Sequence, residues 1–372
     1  PAELPRTVIR EVTNYTPLFN NRPYNKNFIT EQTPSTPILS IISGPYTGNP
    51  IMMYSNLFAK VVEPYKYKRF YNMSDATNIP CNTELIQYAH VVSINLSLMA
   101  ISGLKIVSEC CGMDVSEYLE ENGRYGVAMN GVFFDWFKSN RPMGTFKNAS
   151  GVLDTNPPVP QLDPKYHPYY AYIAMGNPTS TSQGYVSIGP YANLNATVVN
   201  NSEMVAVSGP LLISGGKVVV DDTMINAVSG GERIFECYRQ KIPANTQITA
   251  CDGQGHDTRV TTLYSHPDCG QFHVHASNLN PRSALAYSAT EKTLHFISIE
   301  GRERRGKGMD MIMLANFIMK QLPNISEAVN LDGGRSSTIA WKTPRDPNTI
   351  TAINPNNASV YPVGNIFAIV NK

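Results

Sequence analysis

Apolar and polar residues alternate in short runs along most of this chain, and turn residues bound the runs. Ile38-Leu39-Ser40-Ile41-Ile42, Tyr125-Gly126-Val127-Ala128-Met129, Tyr170-Ala171-Tyr172-Ile173-Ala174-Met175 and Val205-Ala206-Val207 read as strands. The segment "HVVSINLSLMAISGLKIV", from His90, holds two β-rich runs about a turn. Val218-Val219-Val220 follows a Gly-Gly turn at Gly215-Gly216, and Ser283-Ala284-Leu285-Ala286-Tyr287 is turned back onto Thr293–Ile299. One segment changes period. From about Met309 to Leu322, Leu314, Ile318 and Leu322 keep a four-residue step, with Met311 three before the first. That helix is apolar nearly all round, which predicts burial against sheet on more than one side. Pro323 ends it, and Ala328-Val329-Asn330-Leu331 follows as a strand. The pattern predicts an α+β fold, with many short strands in mixed sheets around one long buried helix.

The first 85 residues have another texture. Pro34, Pro37, Pro45, Pro50 and Pro64 and scattered tyrosines leave only short periodic pieces. They read as an extension (residues 1–85) of short strands and loops laid on a main domain (residues 86–372). The extension offers a surface for assembly, self-association included.

Bulk composition narrows the partners. The formal net charge is +1 and only 16% of residues are charged, which excludes a broad electrostatic footprint for nucleic acid. The dense basic stretch Gly301–Lys307 is too short to change that. No run of 18 apolar residues appears, so no helical membrane span is predicted. The start at Pro1 reads as processing, by loss of an initiator Met or by signal cleavage. Six cysteines (Cys81, Cys110, Cys111, Cys237, Cys251, Cys269) permit up to three disulfides. Sequons stand at Asn14, Asn72, Asn95, Asn148, Asn195, Asn200, Asn324 and Asn357. Together these features favour a secreted, disulfide-bonded glycoprotein.

Chemistry concentrates near the C-terminus, in Asn330-Leu331-Asp332-Gly333-Gly334-Arg335-Ser336-Ser337-Thr338. Two adjacent glycines contribute nothing to a packed strand. A surface turn would not need Ala328-Val329 and Leu331 leading into it. The stretch reads as the end of a buried strand opening into a backbone-lined pocket. Asp332 is reachable between its neighbours; the plainer alternative is an Asp that accepts N–H bonds to hold its own turn. Ser336, Ser337 and Thr338 can offer hydroxyls or loop N–H groups to phosphate, or satisfy a turn. Asn130 ends an apolar run beside Gly131, which is also the usual hairpin pair. His266, Cys269, His273 and His275 lie close together, but their spacing matches no standard zinc ladder, so no metal site is assigned. No nucleophile elbow, phosphate loop or dinucleotide fingerprint is present, and no cofactor is implied.

Five motifs occur in one order: Asn130-Gly131-Val132-Phe133-Phe134, Ser208-Gly209-Pro210-Leu211-Leu212, Asn280-Pro281-Arg282-Ser283-Ala284, Gly301-Arg302 and Asn330-Leu331-Asp332-Gly333-Gly334. With the helix between the last two, the chain from about residue 86 to 371 resembles the phosphodiester glycosidase family. The resemblance implies hydrolysis at the anomeric carbon of a sugar 1-phosphodiester. It carries over Asn130, Arg282 and Asp332 as catalytic positions. Arg302, Gly209, Gly333, Gly334, Arg335, Ser336 and Ser337 become substrate-binding positions. Arg suits such a substrate because its planar fork binds two phosphate oxygens at once; for Arg282 the structural alternative is an ion pair. Glycoside cleavage usually takes two carboxylates, and Asp135, Glu300, Glu303 and Asp310 are the candidates for the second. The chain departs from the family at Val132, Asn280, Arg335 and Tyr361. Those departures support an alternative, a non-catalytic structural or carbohydrate-binding component that keeps the fold.

Overall fold

The computed structural model describes residues 29–34, 39–43, 50–62, 67–70, 84–121, 125–135, 139–154, 170–177, 184–220, 247–251, 257–262, 280–301, 308–353 and 362–371. Twenty-two strands and four α-helices lie in them. Every strand pairing among the described residues is antiparallel.

The central sheet has nine strands in the order β1-β3-β5-β18-β17-β19-β13-β14, with β2 also paired to β3. They are β1 (Ile29–Pro34), β2 (Leu39–Ser43), β3 (Pro50–Val62), β5 (Glu84–Asn95), β13 (Leu211–Ser214), β14 (Lys217–Val218), β17 (Arg282–Ser288), β18 (Thr293–Ile299) and β19 (Glu327–Asn330). Two five-stranded sheets pack on one of its faces. One contains β6 (Leu104–Met113), β7 (Gly126–Asn130), β20 (Ile339–Thr343), β21 (Asp346–Ile353) and β22 (Val363–Asn371), in the order β21-β20-β7-β22-β6. The other contains β8 (Phe146–Lys147), β9 (Leu153–Asp154), β10 (Ala171–Gly176), β11 (Tyr185–Pro190) and β12 (Met204–Ser208), in the order β11-β10-β12-β8-β9. A small three-stranded sheet joins β4 (Tyr67–Phe70), β15 (Gln247–Cys251) and β16 (Asp257–Thr262).

The main core lies where the three larger sheets meet. Val92, Leu285 and Phe296 of the central sheet interleave with Val127, Ile339 and Phe367 of the second and Ile173 and Ala206 of the third. The opposite face of the central sheet carries the long helix. A one-turn helix, α1 (Met99–Ser102), links β5 to β6, while α2 (Val115–Glu121) covers the outside of the second sheet and α3 (Ala196–Asn201) that of the third. The long helix is α4 (Met311–Gln321). Asp310 caps it, its Oδ1 accepting from Met313 N at 2.7 Å, which satisfies one of the orphan donors of the first turn. Lys320 sits in the last turn, where a cation meets the negative end of the helix.

The predicted helix is therefore present, two residues shorter at its start than the periodicity suggested. Among the described residues its apolar side chains meet the central sheet, including β13 and the edge strand β14, together with Val220 and Ile325 from the flanking loops. Among the described residues no disulfide joins two cysteines, which corrects the expectation; Cys110, the one cysteine whose side chain is described, is not a free thiol. Packed sheet faces hold the described residues together.

Before residue 85, the described strands β1, β2 and β3 belong to the central sheet. β3 is 13 residues long and pairs with β5 from Met52↔Ile94 to Val62↔Glu84. Its prolines stand at the start and beyond the end, where a missing N–H leaves the ladder intact. Ile51 and Met52 join the main core at 1% and 0% exposure. Deleting residues 1–62 should leave β5 as a bare edge beside an uncovered core, giving aggregated or unfolded protein by size exclusion and circular dichroism. A monodisperse, cooperatively melting product would show β3 to be dispensable.

Candidate active site

The stretch after β19 is the crossover from the central sheet to the second sheet, where β20 begins. Each step is pinned by the backbone. Asn330 N donates to Pro210 O (3.1 Å), Leu331 N to Ser283 O (2.8 Å) and Asp332 N to Gly131 O (3.1 Å). Gly334 N then donates to Pro281 O at 2.9 Å, and Gly334–Ser336 make one 3-10 turn before β20. A side chain at Gly333 would place its Cβ 2.8 Å from Pro281 O, so the first glycine exists for close approach; the second has φ 63°, in the left-handed region. The double glycine lets the chain turn tightly against the Asn280-Pro281-Arg282 stretch.

Asn130, at the end of β7, is fully buried and every polar atom of its side chain is engaged. Its Oδ1 accepts from Ser283 Oγ (2.8 Å) and Thr338 N (3.1 Å), and its Nδ2 donates to Asp332 O (2.7 Å). These bonds tie the central sheet, the second sheet and the crossover into one point. Asn130-Gly131 is not a hairpin turn, since β7 lies between β20 and β22. The loop beyond it is held by Asn365, whose Oδ1 accepts from Val132 N (2.7 Å) while its Nδ2 donates to Val132 O (2.9 Å).

Asp332 retains partial exposure as a residue, while its carboxyl group is packed round by protein atoms. That desolvation pushes its pKa up to about 7, against the opposing pull of hydrogen bonds from the Ser336 side chain and Gly333 N. The Gly333 N–H reaches Oδ1 at 2.9 Å. The Asp thus does hold its own turn, as the plainer reading has it, and is also a carboxyl group present in both protonation states near neutrality. Such a group can give or take a proton.

The other expected residues fall into distinct places. Arg282 begins β17 and is wholly buried, its Nε donating to Met309 O at 2.7 Å; its stem passes beside Gly333. Gly209 precedes Pro210 through a cis peptide bond, and its carbonyl accepts from Asn330 Nδ2 at 2.9 Å, which joins it to the crossover. Ser336 and Ser337 are buried; Ser337 Oγ has no hydrogen-bond partner. Arg335 points outward and is exposed. Arg302, Glu303, Tyr361 and the His266–His275 cluster lie outside the described residues. No metal-binding cluster of His, Cys, Asp or Glu occurs among the described ones.

The model of one family, phosphodiester glycosidase, matches residues 125–370. The chain belongs to the phosphodiester glycosidase family. Similar solved structures include the catalytic domain of zebrafish N-acetylglucosamine-1-phosphodiester alpha-N-acetylglucosaminidase, auto-inhibited by its pro-peptide. It is 14% identical, with a TM-score of 0.51 over 90% of this chain and 87% of that one. A hypothetical protein from Synechocystis is 14% identical, with a TM-score of 0.38 over 87% and 74% of the two chains. A protein from Burkholderia pseudomallei K96243 is 10% identical, with a TM-score of 0.47 over 91% and 100%. At 14% identity the likeness to the zebrafish domain is one of fold. No curated protein sequence matches.

Within this phosphodiester glycosidase fold, the five ordered motifs divide by position. Asn130, Gly209, Arg282 and Asp332 converge on the crossover, although 202 residues separate Asn130 from Asp332. Among the candidate second carboxylates, Asp310 is committed to its cap and Asp135 accepts from Ser139 Oγ at 3.0 Å within its own turn. Glu300 is held by His90, Nε2 to Oε1 at 2.8 Å. Neither His90 nor Asn365 was singled out from the sequence; Asn365 stands four residues after Tyr361.

The raised pKa of Asp332 has a thermodynamic consequence. Folded protein holds this proton up to about pH 7, whereas an unfolded Asp releases it near pH ~4. Between those values the native state binds more protons, so stability falls as pH rises through the window. Asp332→Asn removes the effect and should gain up to about 4 kcal/mol relative to wild type from pH 4 to pH 8. Denaturant melts of both proteins across that range measure it, and parallel curves would refute the burial of this carboxyl group.

Proposed function

We propose that the protein is a hydrolase that cleaves the bond between an anomeric carbon and phosphate in a sugar 1-phosphodiester. Its fold is a glycosidase-like hydrolase fold, by family membership. The observation that carries the proposal is Asp332, a carboxyl group with a pKa near neutrality at the point where two sheets meet and the family motifs converge. Asp332 in its protonated form supplies a proton to the phosphate oxygen as it leaves the anomeric carbon. Asn130 and Arg282 act from beneath: both are buried, and both shape the turn that carries Asp332. Their role is to hold geometry, where a displacement of about 1 Å can lower the rate about 100-fold.

Incubation with α-linked sugar 1-phosphodiesters should release free sugar and a phosphomonoester. Asp332→Asn should lower kcat by about 100-fold or more with little change in KM, because the lost interaction belongs to the transition state. Absence of release from several sugars between pH 4 and pH 8 would defeat the hydrolase reading and favour the non-catalytic one.

A secretory route belongs to the same proposal. The sequons at Asn195, Asn200 and Asn324 are exposed, and among the described residues no helix is long and apolar enough to cross a membrane. Protein from a secreting host should lose mass on treatment with an N-glycosidase; an unchanged mass argues against this route.

A further inference from the structure

We propose that Glu300 is the second carboxylate of the Asp332 site and that His90 and Tyr54, from strands preceding the family-matched segment, are the positioning residues that hold it. The inference rests on the hydrolase reading above.

Strand register brings the two acids together. Ile299 pairs with Arg282, and Ala284 pairs with Asn330, so β18 and β19 run on either side of β17 to the same end of the central sheet. Glu300 follows the first and Asp332 lies just beyond the second. Both turns lean on one proline: a Cβ on Gly301 would lie 2.5 Å from Pro281 N, and one on Gly333 2.8 Å from Pro281 O. Two strand spacings separate their backbones, about 10 Å. From that separation two acidic side chains can approach to the ~5–9.5 Å at which paired carboxyl groups cleave glycosides.

Glu300 is aimed by a relay of side chains. Its Oε1 meets His90 Nε2 at 2.8 Å, and His90 Nδ1 meets the Tyr54 hydroxyl at 2.9 Å. The Tyr54 ring stacks on Trp341 at 4.4 Å between centroids, which fixes the far end of the relay. Side-chain exposure is 7% for His90 and 12% for Glu300. A second observation points to a ligand. Ser298 pairs with Ser283 on one side and with His90 on the other, so the three share one row and one face of the sheet. Ser283 Oγ is bound to Asn130, whereas Ser298 Oγ is fully buried and has no partner among the described residues. A polar row therefore leads from Asn130 to Glu300 across an otherwise apolar inter-sheet space.

The step balances. Glu300 takes a proton from water as the water oxygen bonds to the anomeric carbon. The carbon–oxygen bond to phosphate breaks with its electron pair on that oxygen, which receives the Asp332 proton. Solvent exchange then restores both acids.

The test uses the full chain, steady-state kinetics on a sugar 1-phosphodiester and thermal melts as a check on folding. Glu300→Gln should lower kcat about 100-fold with KM nearly unchanged. Tyr54→Phe, which keeps the ring stack, should lower kcat about 5-fold, the worth of one hydrogen bond, and move a limb of the pH–rate profile without moving the melting point. Formate should restore part of the turnover of Glu300→Ala, since a small carboxylate can take the vacated role. Wild-type turnover in Glu300→Gln from an active enzyme overturns this inference and leaves the hydrolase reading intact. A wild-type enzyme without activity overturns both.

Discussion

One buried side chain holds the two principal sheets in register. Asn130 accepts from Ser283 in the central sheet and from Thr338 at the start of β20, and donates to the carbonyl of Asp332. In a low-dielectric interior such bonds are strong when complete and expensive when broken, because each leaves a buried group unsatisfied. An apolar residue at this point would allow the sheets to slide over each other. An asparagine, with acceptor and donor on one rigid amide, permits one arrangement.

The character of Asp332 follows from that clamp. The crossover cannot swing out to solvent while its backbone is bonded to Gly131, Ser283, Pro281 and Asn130. The carboxyl group therefore stays among protein atoms, and desolvation exceeds the stabilisation from Gly333 N and Ser336. A chemically useful acid near neutral pH is thus a consequence of sheet packing, with no second charge required. Arg282 contributes in the same architectural way. It begins the strand against which the crossover turns, and its guanidinium group is directed to the start of α4 through Met309 O.

The N-terminal strands extend this logic. β3 closes the edge of β5, and Tyr54 reaches across the inter-sheet space to Trp341 of the second sheet. Residues before the family-matched segment thereby share a core with it. The texture of residues 1–85 suggested short strands and loops because proline and tyrosine punctuate it, yet the 13-residue strand from Pro50 has its one proline at its first position. Proline count hid the strand that begins at Pro50.

Local pattern alone determined the α+β class, the helix near Met311–Gln321, the β17–β18 hairpin and the strand leading to Asp332, because each depends on a period or a turn within about a dozen residues. The ordered motifs also pointed to the residues that surround the crossover. Tertiary structure decided where those residues lie and what they bond to. Asn130 was equally readable as a hairpin turn until β20 and β22 were seen to flank β7, and nothing local announced the full burial of Arg282. His90 and Glu300 are 210 residues apart, and no local signal links them. Strand order brings such pairs together, and strand order is set by the burial of whole sheet faces, a sum over the chain that no short stretch contains.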